Sequence, residues 1–406
     1  ELYCNNLSGS IPPGISEFII LSHLGLSFNN LTGAVPALNR GTLQTLDLSH
    51  NHLTIMPTAI NAKKLNLSYN DLQGSLPAYG IDYDSTIDLS HNSLSGGLDG
   101  LFKKSSDAQV SLFAKSCNFS GPFPSYPNLK IERLDVSNNS FTGPFPSVLL
   151  NEESLTKDIN LSHNNFTGPL PPEIAGVKSL EHFNISHNHF SGVVPTTIWA
   201  LEQLKSLSMA HNQLQGTLPA ALLAPDLAAL DLQGNAFSGP LSSFASWQTP
   251  SLLVLDVSNN QLNGSLSDSI SHYASLQHLG LGGNNLSGPI PASLGILVNL
   301  TSLNISGSGL TCPADASKCM VLQSNTTSFC RLCFSFCSSC TPSLFSAHTE
   351  APASAAAPAS AGSPGQAAAP APRAPSASAP CMLVAAAINL YNAAAIVILS
   401  VLILGM

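Results

Sequence analysis

The side chains with the greatest chemical potential are five histidines that recur at matching places along the chain. Each stands directly before an asparagine (His50, His91, His163, His187 and His211). Imidazoles in such an array bind transition metals or titrate near neutral pH. His163, His187 and His211 belong to consecutive repeats, and neighbouring parallel strands lie ~4.8 Å apart, so we expect these three rings to stack as a row. With no acidic or cysteine partner visible, solvated imidazoles are the favoured interpretation and the row is only a candidate metal site. No cofactor is predicted.

A second recurring set consists of aspartates at the outward positions of short predicted strands: Asp47, Asp88, Asp135, Asp231 and Asp256. General acid and base catalysis needs a carboxylate beside a proton acceptor in a pocket, and no such partner is evident. The chain also has no P-loop, no H-E-x-x-H, no G-x-S-x-G and no kinase signature. We therefore predict a solvated face and no enzymatic activity.

These residues are carried by a repeat whose most regular member is an asparagine. Twelve asparagines, with Cys117 and Ser308 in the same register, define fourteen turns spaced 19 to 25 residues apart, at Asn5, Asn29, Asn51, Asn70, Asn92, Asn139, Asn164, Asn188, Asn212, Asn235, Asn260 and Asn284. Most turns read L-x-L-x-x-N-x-L, the pattern and period of leucine-rich repeats. The asparagine amide is expected to satisfy main-chain groups of its own coil and of the next one.

The leucines of each repeat alternate with polar residues, which predicts short parallel strands with one face buried. The expected fold is an α/β leucine-rich-repeat solenoid of about fourteen repeats over residues 1–311. Its parallel sheet should line the concave side of a curved right-handed superhelix, with short helical or 3-10 segments on the convex side.

Many repeats continue with L-[ST]-G-x-[ILVF]-P, as in LTGAVP (31–36), FTGPLP (166–171) and LSGPIP (286–291). This extension resembles the plant-type extracellular repeats of receptor-like protein ectodomains, receptor kinases and polygalacturonase-inhibiting proteins. The resemblance implies an extra strand beside the main sheet. The segment LTIMP (53–57) lacks the glycine and precedes the shortest step between asparagines, so irregular structure is expected near residues 52–70.

Composition narrows the classes of function. Charged residues make up 9% of the chain and the net charge is −9, which excludes the basic footprint of a nucleic-acid-binding protein. Ordinary soluble domains carry roughly 25% charged residues, so Asn, Ser, Thr and attached sugars must keep this chain soluble. These features favour a secreted protein at the outer face of the plasma membrane.

Thirteen N-x-[ST] sequons support that compartment, at Asn6, Asn30, Asn66, Asn118, Asn138, Asn160, Asn165, Asn184, Asn263, Asn285, Asn299, Asn304 and Asn325. The repeat itself generates many of them. The predicted glycosylation sites are Asn30, Asn66, Asn118, Asn160, Asn165, Asn184, Asn285, Asn304 and Asn325. Asn66, Asn160, Asn184 and Asn304 lie between two strand leucines, so glycans there should obstruct the sheet face.

Cysteines cluster after the repeats, at Cys312, Cys319, Cys330, Cys333, Cys337 and Cys340. A disulfide-linked cap over residues 312–340 would cover the last coil in an oxidising compartment. The alternative is a zinc site from the two C-x-x-C pairs, but the three residues between these pairs are far fewer than zinc sites use. Cys4 is expected to have no partner.

The chain ends in a stalk and an apolar segment. Residues 341–380 are almost entirely Ala, Pro, Ser and Gly, which predicts an extended disordered stalk. Residues 381–406 carry no charge and are long enough to span a bilayer. Because no Lys or Arg follows them, a glycolipid attachment signal is favoured over a single-pass helix, with small residues at 361–363, 367–369 or 376–378 as attachment sites.

The predicted function is recognition of an extracellular protein, peptide or glycan, in adhesion, defence or signalling through a membrane-spanning co-receptor. Aromatic and arginine side chains dominate binding surfaces, so the predicted contact residues are those expected at outward strand positions of the earlier repeats: Phe28, Tyr69, Phe113 and Arg133. Two alternatives remain: a structural coat or wall glycoprotein without a discrete ligand, and an inhibitor of wall-degrading enzymes. None of these three functions involves binding to nucleic acid.

Replacing Leu402 and Leu404 with Lys tests the anchor. Two charges interrupt the terminal apolar run, so glycolipid attachment should fail and the protein should no longer be released from cells by phospholipase. Wild-type protein that resists phospholipase and retains an epitope placed after Met406 would instead indicate a spanning helix.

Overall fold

A computed structural model describes residues 1–38, 43–81, 83–103, 107–126, 128–150, 155–241 and 246–311. The cluster of six cysteines between Cys312 and Cys340, the Asn325 sequon, the predicted stalk and the apolar terminal segment lie outside these residues. In the described part of the chain, no helix is both long and apolar enough to cross a membrane.

The chain alternates between two parallel sheets of thirteen strands each, numbered here in chain order. The main sheet comprises β2 (His23–Gly25), β4 (Thr45–Asp47), β6 (Lys64–Asn66), β8 (Ser85–Asp88), β10 (Gln109–Phe113), β12 (Lys130–Asp135), β14 (Asp158–Asn160), β16 (His182–Asn184), β18 (Ser206–Ser208), β20 (Ala229–Asp231), β22 (Val254–Asp256), β24 (His278–Gly280) and β26 (Ser302–Asn304). The second sheet comprises β1 (Ser8–Ser10), β3 (Asn30–Ala34), β5 (His52–Ile55), β7 (Gln73–Ser75), β9 (Ser93–Gly96), β11 (Asn118–Pro122), β13 (Ser140–Gly143), β15 (Asn165–Gly168), β17 (His189–Val193), β19 (Gln213–Thr217), β21 (Ala236–Pro240), β23 (Gln261–Gly264) and β25 (Asn285–Leu286). Each strand pairs with its counterpart one repeat away, which confirms a leucine-rich-repeat solenoid.

The helical segments named for the described residues are all 3-10 helices: Pro13–Glu17, Ser147–Leu150, Pro172–Gly176, Thr196–Ala200, Asp268–His272 and Ala292–Ile296. Several begin directly after the proline that closes the L-[ST]-G-x-[ILVF]-P segment, as at Pro171 and Pro195. Proline fixes φ near −65° and needs no amide partner, so it suits the entry to such a turn.

A continuous apolar core runs through the coils. The strand leucines flank each outward residue, as Leu46 and Leu48 flank Asp47, and both leucines are fully buried. Four phenylalanines of successive coils, Phe119, Phe141, Phe166 and Phe190, stack in the core with centroids 6.1, 6.2 and 6.0 Å apart. Because the core of one coil is completed by its neighbours, no coil is stable alone.

The second sheet is built from the extra strand that the plant-type motif implied for each repeat. Its recurring glycine has positive φ, for example +82° at Gly168 and +83° at Gly192, a backbone region that strongly favours glycine. The coil without this glycine is irregular, as predicted. Strand β5 pairs with β7 only through Ile55 and Gln73, and the pairing of β3 with β5 shifts register between Gly33 and Ala34.

The recurring asparagines form a buried ladder of side-chain hydrogen bonds. The Nδ2 of Asn51 donates to the carbonyls of Leu48 and Ser49 in its own coil and of Leu26 in the preceding coil, at 3.1, 3.2 and 3.0 Å. Its Oδ1 accepts the Leu31 amide at 3.0 Å. The asparagine thus bonds its own coil and the preceding coil, whereas the sequence predicted its own coil and the following one. The reason is that its side chain points back along the solenoid.

The two substituted ladder positions lose part of this bonding. Cys117 is buried, and its Sγ donates to the carbonyls of Leu89 at 3.3 Å and Lys115 at 3.6 Å, but a thiol has no Oδ1 equivalent. At the other exception, the Ser308 hydroxyl accepts the Leu310 amide of its own coil at 3.3 Å. Cys4 forms a disulfide bond, so the expectation that it has no partner was wrong.

Replacing Asn188 with Ala tests the ladder. The change leaves the buried carbonyls of Leu161 and Ile185 and the Phe166 amide without their side-chain partner. Unsatisfied buried groups cost about 1–3 kcal/mol each, partly relieved by water, so we expect the free energy of unfolding in urea to fall by about 2–4 kcal/mol.

Two variants at and beside this position complete the experiment. Asn188→Cys retains the donor that Cys117 uses and should lose less than Asn188→Ala. His189→Ala removes an exposed side chain next to the ladder and should change stability by less than about 0.5 kcal/mol. Equal losses in Asn188→Ala and His189→Ala would contradict the ladder as a source of stability.

Candidate functional site

The residue directly before each ladder position has a left-handed backbone. This left-handed column comprises Cys4, Phe28, His50, Tyr69, His91, Ser116, Asn138, His163, His187, His211, Gly234, Asn259, Gly283 and Gly307, with φ between +52° and +64°. Gly, Asn and, to a smaller extent, His adopt this region more readily than other residues, whereas Phe and Tyr rarely do. The turn that the ladder asparagine closes therefore imposes the conformation on every coil, whatever the side chain.

The first part of the column is a stack of four rings, here called the mixed stack. Phe28, His50, Tyr69 and His91 lie face to face, with centroids 4.0, 4.3 and 4.2 Å apart. The prediction that Phe28 and Tyr69 occupy outward strand positions is therefore wrong, because β2 and β6 end before these residues. Sequence inspection missed that both precede a ladder asparagine, as the recurring histidines do.

A second stack consists of His163, His187 and His211, here called the histidine stack, with centroids 4.1 and 4.3 Å apart. The predicted row is confirmed. Its rings meet through their faces, so the in-plane nitrogen lone pairs run side by side instead of converging on one point. Among the described residues, no group of three or more His, Cys, Asp or Glu side chains is arranged to hold a metal ion.

The outward aspartates and asparagines of the main sheet have a structural task. In each case Oδ1 accepts a hydrogen bond from the main-chain amide two residues later in the chain. The amide nitrogen lies 3.0 Å from Oδ1 for Ser49 and Asp47, 2.9 Å for Ser137 and Asp135, and 3.0 Å for Ser186 and Asn184. This side-chain turn ends the strand and leads into the left-handed residue. The aspartate row predicted as a merely solvated face therefore caps the strands as well.

The predicted glycosylation sites fall into two places. Asn66, Asn160, Asn184 and Asn304 lie on the main-sheet face, as predicted, with Oδ1 engaged in the turn just described. Asn30, Asn118, Asn165 and Asn285 are exposed at the first position of strands in the second sheet. Glycosylation at these positions stays a prediction.

Two neighbouring aspartates of the outward row differ in acidity. Asp231 pairs in register with Asp256, and burial raises the pKa of Asp231 to about 6, with the nearby Asp256 carboxylate acting in the same direction. Burial also acts to raise the pKa of Asp256, but hydrogen bonds from His278 and Ser258 outweigh it and lower that pKa. The distance from His278 Nε2 to Asp256 Oδ2 is 3.2 Å.

A patch of alternating charge crosses the middle of the main-sheet face. This charged patch comprises Glu132, Arg133, Lys157, Asp158, Glu181, His182 and Lys205. Arg133 Nε lies 3.3 Å from Asp158 Oδ2, Lys157 Nζ lies 3.1 Å from Glu132 Oε1, and Lys205 is paired with Glu181.

Asp158 and His182 are in register on β14 and β16. Burial raises the pKa of Asp158 and lowers that of His182, and the Nδ1 of His182 is buried without a hydrogen-bond partner.

Phe113 lies at the edge of the charged patch. It is half-buried, in register with Asp88 on one side and Asp135 on the other. The pairing of β10 with β12 shifts between Val110 and Ser111, which sets Ser111 opposite Arg133. The structure thus brings two of the four predicted contact residues, Phe113 and Arg133, to adjacent strands, and places Phe28 and Tyr69 in the left-handed column.

Two family models match parts of the chain. The Leucine rich repeat family model matches residues 157–214, and a second Leucine Rich Repeat model matches residues 42–62, 130–151, 251–273 and 275–297. No curated protein sequence matches the chain.

Among solved structures, the repeat ectodomain of the plant membrane receptor kinase GASSHO1/SCHENGEN3 from Arabidopsis thaliana, in complex with CASPARIAN STRIP INTEGRITY FACTOR 2, is 30% identical with a TM-score of 0.61, over 74% of this chain and 40% of that one. The Arabidopsis receptor kinase HAESA, in complex with the peptide hormone IDA and the co-receptor SERK1, is 28% identical with a TM-score of 0.65, over 78% and 58% of the two chains. A leucine-rich-repeat protein of Leptospira interrogans is 27% identical with a TM-score of 0.57, over 79% and 81%. The chain thus spans about half the length of the two plant ectodomains.

Replacing Asp231 with Asn tests the cost of burying this carboxylate. Folding raises the pKa of Asp231 from 3.8 to about 6, so its ionised form destabilises the fold at neutral pH and ceases to do so below pH ~4. Each pKa unit corresponds to about 1.4 kcal/mol, and after discounting for solvent we expect Asp231→Asn to add about 1–2 kcal/mol to the free energy of unfolding at pH 7. Asparagine keeps the turn, as Asn184 does in the same row.

The matched control is Asp256→Asn. Folding lowers the pKa of Asp256, so its ionised form contributes stability at neutral pH, which is lost as pH falls through the folded pKa. We therefore expect this variant to lose stability at pH 7. Urea unfolding at pH 7 and pH 4 compares the two, and a gain from Asp256→Asn equal to that from Asp231→Asn would contradict the assignment.

Proposed function

Because this chain is a plant-type extracellular leucine-rich-repeat protein, we propose that it recognises an extended peptide ligand on the outward face of its main sheet. The observation that carries the proposal is the charged patch, a half-exposed array of both signs in the middle of that face. A regular parallel sheet gives such an array a rigid backbone, which lowers the entropy lost when a ligand binds.

The ion pairs of the charged patch are suited to exchange partners with a ligand. The side chains of Arg133, Lys157 and Lys205 are 42%, 38% and 42% exposed. Ion pairs at this level of exposure contribute only about 0–1 kcal/mol, so a ligand's own charged groups can replace them at little cost. Cations and anions alternate from coil to coil, a pattern that matches a peptide carrying both signs better than a uniformly charged polymer.

Phe113 supplies an apolar anchor beside these charges. Aromatic and arginine side chains carry much of the binding energy at recognition surfaces. Phe113 and Arg133 lie on adjacent strands and provide one of each. Stacking occupies both ring faces of Tyr69 and one ring face of Phe28, so these two predicted residues are secondary contacts in this proposal.

The similar proteins support a peptide as the ligand class. HAESA is described in complex with a peptide hormone and a co-receptor, and RGFR1, which is 28% identical over 75% of this chain with a TM-score of 0.66, is a plant peptide hormone receptor in complex with RGF2. By this likeness we propose a cell-surface location and a membrane-spanning co-receptor as partner. Attachment through residues 381–406, as glycolipid signal or helix, belongs to the same proposal.

Selection of random peptides displayed on phage, against the whole chain purified from membranes in detergent, tests the proposal. We expect enriched peptides to contain both acidic and basic residues. Phe113→Ala and Arg133→Ala should each weaken binding of an enriched peptide by about tenfold or more, since truncating a central anchor commonly costs about 2 kcal/mol. Titration calorimetry or surface plasmon resonance measures the change.

Two sets of variants control this experiment. Gln215→Ala, on the second sheet, should leave binding unchanged. Asn160→Asp with Asn184→Asp removes the glycan acceptors beside the charged patch but keeps their strand-ending turns, since aspartate fills the same role at Asp135. Enriched peptides that bind the Phe113 and Arg133 variants as tightly as wild type would overturn the proposed site. Failure to enrich any peptide, with or without these glycan acceptors, would favour the structural coat glycoprotein.

A further inference from the structure

Two ring stacks occupy the same left-handed column but differ in their chemistry. In the mixed stack, His50 lies between Phe28 and Tyr69, and His91 lies against Tyr69, so no imidazole touches another. In the histidine stack, His187 lies between two further imidazoles, at 4.1 and 4.3 Å. The backbone is the same in both, since φ is +53° at Tyr69 and +52° at His187.

Protonation has opposite consequences in the two stacks. An imidazolium against the face of Phe or Tyr gains a cation–π attraction. An imidazolium against a second imidazolium is repelled, since like charges at such a separation disfavour each other. The mixed stack therefore tolerates charge, whereas the histidine stack opposes the charging of more than one ring.

The surroundings do not neutralise this repulsion. The charged or titratable groups that act on the histidine stack are Lys115, beside His163, and Asp231, near His211. His187, in the centre, is affected only by burial and by its two histidine neighbours. In the mixed stack burial also lowers the pKa of His50 and of His91, but more carboxylates lie nearby. Asp47 and Asp88 attract a proton to His50, with His91 opposing, and Asp88 and Asp135 attract one to His91, with Lys115 opposing.

The histidine stack also lies directly on hydrogen bonds that join coils. The amides of His163, His187 and His211 donate to Ser186, Ala210 and Gln233 of the following coils, at 2.9, 2.9 and 2.8 Å. Any force that separates the rings therefore acts on these main-chain bonds. A solenoid is held together mainly by contacts between neighbouring coils, so this force loosens the array locally.

We propose that His163, His187 and His211 form an acid-sensitive joint, at which protonation opens the hydrogen bonds between consecutive coils, and that the mixed stack responds more weakly. The inference concerns the repeat region alone and does not depend on the proposed ligand.

The direction of the effect follows from proton linkage. Burial, together with His163 and His211, lowers the pKa of His187 to about 4, whereas an opened coil restores the ordinary value of 6.5. The open state thus binds the proton more tightly, so local stability is intact above pH 6.5 and declines as pH falls towards 4. At pH 5 the full shift would favour opening roughly 30-fold. Because all three histidines are partly exposed to solvent, which weakens the effect, we expect about three- to tenfold.

Amide hydrogen exchange of the full-length chain at pH 7 and pH 5, corrected for intrinsic exchange rates, tests the joint. In wild type, the protection of the His163, His187 and His211 amides should fall about three- to tenfold at pH 5, while that of the Phe28, His50 and Tyr69 amides should fall less. Equal protection of the histidine stack at both pH values would overturn the proposal.

Exchanging the central rings tests the cause. His187→Tyr gives the histidine stack the alternation of the mixed stack and should reduce the acid response to that of the mixed stack. Tyr69→His places three imidazoles in succession in the mixed stack and should strengthen the response there. An unchanged response in His187→Tyr would show that the rings are not responsible. Should that variant fail to fold, His187→Asn replaces it, because Asn138 and Asn259 occupy the same column with φ of +55° and +52°.

Discussion

The hydrogen bonds of the ladder asparagines are the constraint on which the rest of this structure depends. Each coil turns sharply at the end of its main-sheet strand, and that turn buries main-chain carbonyls and amides away from water. One carboxamide satisfies three carbonyls and one amide at a time, as Asn188 does for Leu161, Ile185, Ser186 and Phe166. Since two of those groups belong to the preceding coil, the same bonds that close a turn also fix the register between coils.

Fixed register turns a sequence repeat into columns of side chains. A residue type that recurs at one place in the repeat meets its counterpart of the next coil at the spacing of parallel strands. Outward aspartates and asparagines thereby become a row of strand-ending turns, and the left-handed residues become the two ring stacks. Where the repeat is shorter, near residues 52–70, the second sheet pairs through a single residue pair, Ile55 with Gln73.

Some side chains on the main-sheet face are therefore also needed to hold the fold together. Asp47, Asp88, Asp135, Asp231 and Asp256 each hold a strand-ending turn, and their carboxylates have limited freedom to serve a ligand. The side chains two or three positions earlier, such as Arg133, Asp158 and Lys205, have no turn to hold. Those positions, with Phe113 beside them, are where the main-sheet face is free to vary, and the charged patch lies there.

The sequence by itself determined the repeat, the buried leucines, the ladder asparagines, the second strand of the plant-type motif and the stacking of His163, His187 and His211. All of these depend on spacing along the chain, which a periodic fold converts directly into neighbours in space. Only the tertiary structure decided that Phe28 and Tyr69 stack with His50 and His91 instead of presenting their faces, and that Asp231 and Asp256 differ in acidity. The first depends on where each strand ends and the backbone turns left-handed. The second depends on whether a hydrogen-bond donor reaches the carboxylate, as His278 reaches Asp256, and no spacing in the sequence encodes that contact.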